Sequence, residues 1–120
     1  MRKNIFYIAF VLFTMCLSSC GTSKSFESLS INVNPGMTKS EVINIMGTPE
    51  NRQFKGSDEA WQWCNGGYNG GGSYTVIWFY KGIVTGTTSY KIYNCTACSD
   101  CFRTIKWGDK PDITIEFRNR

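Results

Sequence analysis

Asn34 to Pro49, NPGMTKSEVINIMGTP, carries both a start and a stop for one short helix. Thr38 is placed to cap the first turn, because its hydroxyl can accept from an otherwise orphaned amide. Glu41, three residues on, can accept from the Thr38 amide and complete a capping box. Met37 and Val42 occupy the two positions of a hydrophobic staple. Gly47 suits a left-handed position just past the helix, and Pro49 forbids continuation. Val42, Ile43, Ile45 and Met46 give the segment an apolar surface. A helix of about nine residues is too short to persist alone in water. It therefore has to lie on another layer, and the remaining sequence reads as a sheet.

The first residues set a compartment. Arg2 and Lys3 precede an apolar run from Ile5 to Leu17, and Ser18-Ser19-Cys20-Gly21 follows. A basic start, an apolar stretch of about 13 residues and small residues before a cut make an export signal. The run is too short to span a membrane, which takes about 20 residues. Leu17-Ser18-Ser19-Cys20 resembles a bacterial lipobox. That resemblance implies cleavage before Cys20 and diacylation of its sulfur, an anchor that tethers a soluble domain to lipid. The alternative is an ordinary signal with an incidental cysteine. Cleavage would leave 101 of the 120 residues and remove Arg2 and Lys3, taking the formal net charge from +4 to +2. So small a charge does not point to a nucleic-acid partner. The expected organisation is a signal over 1–19, a lipidated cysteine and flexible tether over 20–30, and one small domain over 31–120. The domain would end in a cysteine-rich extension.

Past the helix, strand signals dominate. Trp61 and Trp63 alternate around Gln62, which predicts a strand over about Ala60 to Cys64, with an earlier piece near Arg52 to Phe54 and a turn at Gly56-Ser57-Asp58. Asn65 to Ser73, NGGYNGGGS, has five glycines in nine residues and predicts a loop. Tyr74 to Tyr80, YTVIWFY, is the strongest strand and is apolar on both faces, so a central position is expected. Lys81-Gly82 predicts a tight hairpin, and Ile83 to Tyr93 a long return strand bent near Gly86. Phe102 to Trp107 reads as a further strand or extended segment, and Asp112 to Phe117 as an edge strand. The fold class expected is α+β: short N-terminal helices packed on a three- to four-stranded antiparallel meander.

The chain has no histidine, which removes the usual general base and the common nucleophile pairs. Asp58-Glu59 and Asp109/Asp112 fall at turns and read as solvated carboxylates. The Gly66–Gly72 stretch lacks the Gly-Lys-Ser/Thr ending of a phosphate cradle. No enzyme activity and no cofactor are expected. Aromatic residues exceed what one small core easily hides, so Trp61, Trp63 and Tyr68 are candidates for an exposed binding patch.

Four cysteines remain beside Cys16 and Cys20: Cys64, Cys95, Cys98 and Cys101. An even number in an exported domain argues for two disulfides, in any of three pairings. The same four could instead supply thiolates to zinc or an iron–sulfur cluster, or form a redox pair. An oxidising compartment and the absence of a second paired CxxC argue against a metal.

Gly36-Met37-Thr38-Lys39-Ser40-Glu41-Val42, then Met46-Gly47-Thr48-Pro49, a Trp-bearing strand and an aromatic strand ending in Lys81-Gly82-Ile83-Val84 resemble the SmpA/OmlA (BamE-like) outer-membrane lipoprotein family. The resemblance covers about Ile31 to Tyr90. It implies a helix-on-sheet fold of two helices and three strands, an architecture shared with β-lactamase-inhibitor proteins. It also implies no enzyme activity, an anchor in the bacterial outer membrane, and a place in an envelope complex such as β-barrel assembly. The long glycine loop and the extension from Cys95 depart from that pattern. The function expected is a lipid-anchored accessory or binding module facing the periplasm. The alternative is an inhibitor-like or ligand-binding module on the same fold.

Overall fold

The computed structural model describes residues 2–4, 8, 24–66 and 71–111. Two helices, α1 (Phe26–Ser30) and α2 (Lys39–Met46), precede four strands: β1 (Asn51–Lys55), β2 (Asp58–Gly66), β3 (Gly72–Tyr80) and β4 (Ile83–Ile92). The strands form one antiparallel sheet in the order β1-β2-β3-β4, so the α+β meander is present with four strands and β3 lies inside it. Among the described residues, no helix is long and apolar enough to cross a membrane.

Local sequence chemistry accounts for α2. Thr38 Oγ1 accepts from the Glu41 amide at 3.3 Å, and Glu41 Oε2 accepts from the Thr38 amide at 2.9 Å, which closes the capping box. Val42 and Met46 are buried, with Met37 and Ile45 packed beside them. Gly47 is not left-handed helical as expected: φ 81° with ψ −176° places it in an extended, positive-φ region open essentially to glycine alone. At the β3–β4 hairpin, Lys81 and Gly82 both have positive φ (49° and 80°), the two-residue turn whose twist matches the strands it joins. The bend expected near Gly86 is a bulge: Trp78 pairs with Gly86 and Phe79 with Val84, so Thr85 is the extra residue.

The sheet separates two cores. Beneath the helices lie Val33, Val42, Met46, Trp61, Trp63, Ile77, Phe79 and Val84. The second face carries Ala60, Val76 and Trp78, covered by Ile105 with Tyr90 and Trp107 packed alongside. Ile105 and Trp107 belong to the segment after Cys95, so the extension is a third layer. It is held mainly through side chains. The carbonyl of Arg103 accepts from Gln53 Nε2 (2.9 Å) and Gln62 Nε2 (3.1 Å), and the Ile105 amide donates to Gln53 Oε1 (2.8 Å).

Two expectations are corrected, and one alternative is decided. The tether ends earlier than residue 30, because Ser25 caps α1 and Phe26 and Leu29 pack on the helix-side core. Phe102–Trp107 is extended without joining the sheet: side chains reach out to its backbone, and Trp107–Asp109 closes into a 3-10 turn. The glycine loop is also shorter, since Asn65, Gly66, Gly72 and Ser73 extend β2 and β3. The expected strand over 112–117 and the lipidation position Cys20 lie outside the described residues.

Candidate functional surfaces

Both disulfides expected of the four cysteines form, in one of the three pairings left open by the sequence. Cys64 near the end of β2 bonds Cys98, with Cα atoms 5.9 Å apart and a sequence separation of 34. Cys95 bonds Cys101 across a Cα separation of 6.2 Å. The sulfurs considered as metal or redox ligands are thereby engaged in staples. The first pins the extension to the sheet, and the second closes the extension on itself. Tyr74 Oη donates to the Cys98 carbonyl at 2.9 Å and secures the same corner. Tyr74 stacks on Tyr90 at 4.7 Å, and Phe102 meets Tyr74 edge-on at 5.2 Å.

Trp61 and Trp63 are not an exposed patch. They are 2% and 0% accessible, both in the core beneath the helices. Trp61 Nε1 donates to Glu59, whose carboxylate also pairs with Lys39 at the start of α2. Tyr68 lies outside the described residues. Part of the aromatic surplus is absorbed by the second core, where the extension covers the far face of the sheet, while Phe54, Tyr80 and Tyr93 stay exposed.

Polar chemistry inside that second core centres on Gln62, which is fully buried. Its Nε2 donates to Asn51 Oδ1 (3.0 Å) and to the Arg103 carbonyl, while its Oε1 accepts from Tyr90 Oη at 2.5 Å. Tyr90 Oη accepts in turn from the Arg103 amide at 3.0 Å. Burial lifts the Tyr90 and Tyr74 hydroxyls above the ordinary tyrosine pKa of 10.0; Glu50 and Asp100 add to the effect at Tyr74.

Of the exposed large apolar side chains, Ile31 and Ile43 lie in the helical layer, and those of the sheet and its flanks lie toward its two ends. At the end where Gly66, Gly72 and Ile92 align, Ser25 brings the N-terminal segment to a cavity of about 420 Å³ beside Lys91 and Tyr93. At the opposite end, Lys55, Asp58, Tyr80 and Ile83 form one row across all four strands. The Lys81 amide donates to the Ser57 carbonyl at 3.0 Å, tying the two hairpin turns together. Phe54, 62% accessible, is in register with Glu59 and Phe79 on the helix-side face, whereas Tyr80 and Ile83, 45% and 40% accessible, are in register with Asp58 on the opposite face. Cations surround them: Arg52 lies 5.9 Å from the Phe54 ring, and Lys81 and Lys110 lie 5.4 and 5.5 Å from the Tyr80 ring. Nothing in the sequence pattern alone singled out this hairpin end, because its residues come from all four strands, the β3–β4 turn and the extension.

Among the described residues, no group of histidine, cysteine or acidic side chains is arranged to hold a metal ion. Comparison with protein-family models, with curated proteins and with solved structures finds no match to this chain.

Proposed function

We propose that this chain is a non-enzymatic lipoprotein of the bacterial outer membrane. It would present a small, disulfide-stapled α+β domain to the periplasm as the binding module of an envelope complex, with β-barrel assembly as the first candidate. The observation that carries the reading is the split between the two ends of the sheet. The N-terminal segment arrives at one end, and the exposed aromatics with their cations sit at the other. Five residues, Gly21 to Ser25, separate Cys20 from α1, a reach of at most about 22 Å over six steps. The eight steps from Gly66 to Asp58 along β2 then carry the hairpin end about 26 Å from the tethered end. An anchor at one end and exposed apolar side chains on both faces of the other, with Arg52 and Lys81 beside them, suit a module that reaches from a lipid surface to a partner that grips the tip of the sheet.

The lipobox Leu17–Cys20 supports the anchor, and two disulfides fit an oxidising compartment. The GMT…GTP motif and the helix-on-sheet arrangement support kinship with the SmpA/OmlA (BamE-like) family. Mass spectrometry of the membrane-fraction protein, with affinity purification of its partners, tests the reading. A diacylated Cys20 at the mature N-terminus and co-purifying envelope subunits are expected. A soluble mature protein with a free Cys20 thiol, or purification with no envelope partner, would overturn it.

A further inference from the structure

A second cavity, of about 220 Å³, lies between β4 and the disulfide-held extension, on the sheet face opposite the helices. Val76, Trp78 and Ile105 give it apolar walls, and the exposed residues Arg103, Lys106 and Asp109 line it where it meets solvent. It differs in place and lining from the hairpin end.

Arg103 is the residue of interest. Its main chain is fixed on both sides: the amide donates to Tyr90 Oη, and the carbonyl accepts from Gln53 and Gln62. Its guanidinium lies 4.9 Å from the Tyr90 ring centroid. Among the described residues, neither Arg103 nor Lys106 is paired with a carboxylate. The main-chain bonds fix where the Arg103 side chain starts, and the Tyr90 ring against its guanidinium holds it near the cavity mouth, so part of its freedom is already lost before a ligand engages it. Its planar donor fork matches a carboxylate. Trp78 Nε1 already donates to Thr88 Oγ1 at 2.7 Å, so the buried indole beneath the cavity offers no open donor and reports on it from the floor.

We infer that this cavity binds a small carboxylate with a flat apolar body, its acid on Arg103 and Lys106 and its ring in the cleft beside the half-buried Tyr90, over the floor that the buried Val76, Trp78 and Ile105 close. Two cations and the single carboxylate of Asp109 leave the cavity with one net positive charge, which suits a monoanion better than a dianionic phosphate. The volume is below the usual range for drug-sized ligands, about 300–1,000 Å³, and suits one ring with a short acid arm. The inference is independent of the lipoprotein reading, since it needs only the folded extension.

The test is a titration of the full chain with 3-phenylpropionate, followed by the Trp78 indole N–H resonance, with phenethylamine and inorganic phosphate as parallel arms. A saturable shift is expected with the carboxylate. Arg103→Gln, which keeps the backbone hydrogen bonds, should weaken binding about tenfold, and Lys24→Gln should leave it unchanged. The amine and phosphate should bind at least about tenfold more weakly. No saturable shift with the full chain, equal binding by Arg103→Gln, or equal binding of the amine or phosphate would overturn the assignment.

Discussion

Gln62, at the centre of β2, donates through Nε2 to the main-chain carbonyl of Arg103, 3.1 Å away and 41 residues later in the chain. This bond joins the sheet to its third layer. Around it, Gln53, Asn51 and Tyr90 complete a network whose members are each other's partners. A buried network of this kind rigidifies only while it is complete.

Replacing Gln62 by Leu should therefore be costly, although the new side chain is apolar. Asn51, Tyr90 and the Arg103 carbonyl would each lose a partner, and the expected loss is about 2–3 kcal/mol. Chemical denaturation measures it. Hydrogen exchange should show faster opening at the amides of Arg103 and Ile105 than in α2.

The two disulfides should contribute unequally. On the chain-entropy model the Cys64–Cys98 loop, 34 residues in separation, stabilises by about 4 kcal/mol. The Cys95–Cys101 loop, with a separation of 6, stabilises by about 2 kcal/mol. Paired Cys→Ser variants compared by urea midpoint should show that order, and the reverse order would mean that strain or residual structure dominates.

Trp61 and Trp63 provide a matched pair. Trp61→Phe takes one of two partners from the buried Glu59 carboxylate and leaves it with Lys39 alone, whereas Trp63 Nε1 has no hydrogen-bond partner among the described residues to lose. Trp61→Phe should cost about 1–3 kcal/mol more than Trp63→Phe. Both should leave partner binding intact at temperatures where they stay folded.

Alkali should unfold the domain through its buried tyrosines. Tyr74 and Tyr90 ionise above 10.0 in the folded protein and at the ordinary value when unfolded, so folding favours their protonated forms. That stability is fully present below pH 10.0 and is lost as pH rises from there through the raised folded values. Tyrosinate absorbance and far-ultraviolet circular dichroism should therefore change together for these two residues.

The sequence spelled out what depends on neighbours in the chain. Thr38, Glu41 and Gly47 specify α2 through bonds three and four residues apart, and Lys81-Gly82 specifies its turn through backbone conformation. Thr38→Ala should accordingly cost about 1 kcal/mol by denaturation, with partner binding unchanged. The extension was not legible in this way. Its backbone is bonded by Gln53, Gln62 and Tyr90, about 10 to 50 residues away, so no period marks it. The one local clue was Gln62 itself, a polar residue between two tryptophans in a strand with no solvent face. Helix α1 escaped notice for a related reason: five residues with only Phe26 and Leu29 on the core give too short a pattern to separate from a tether.

Photo-crosslinking in cells, with the reactive residue placed in turn at Phe54, Tyr80 and Tyr93, addresses the assignment of the two ends most directly. Positions 54 and 80, at the hairpin end, should give a discrete adduct with an envelope protein in the membrane fraction, and position 93, at the tethered end, should not. Adducts from position 93 alone, or none from any position, would contradict a partner surface at the hairpin end.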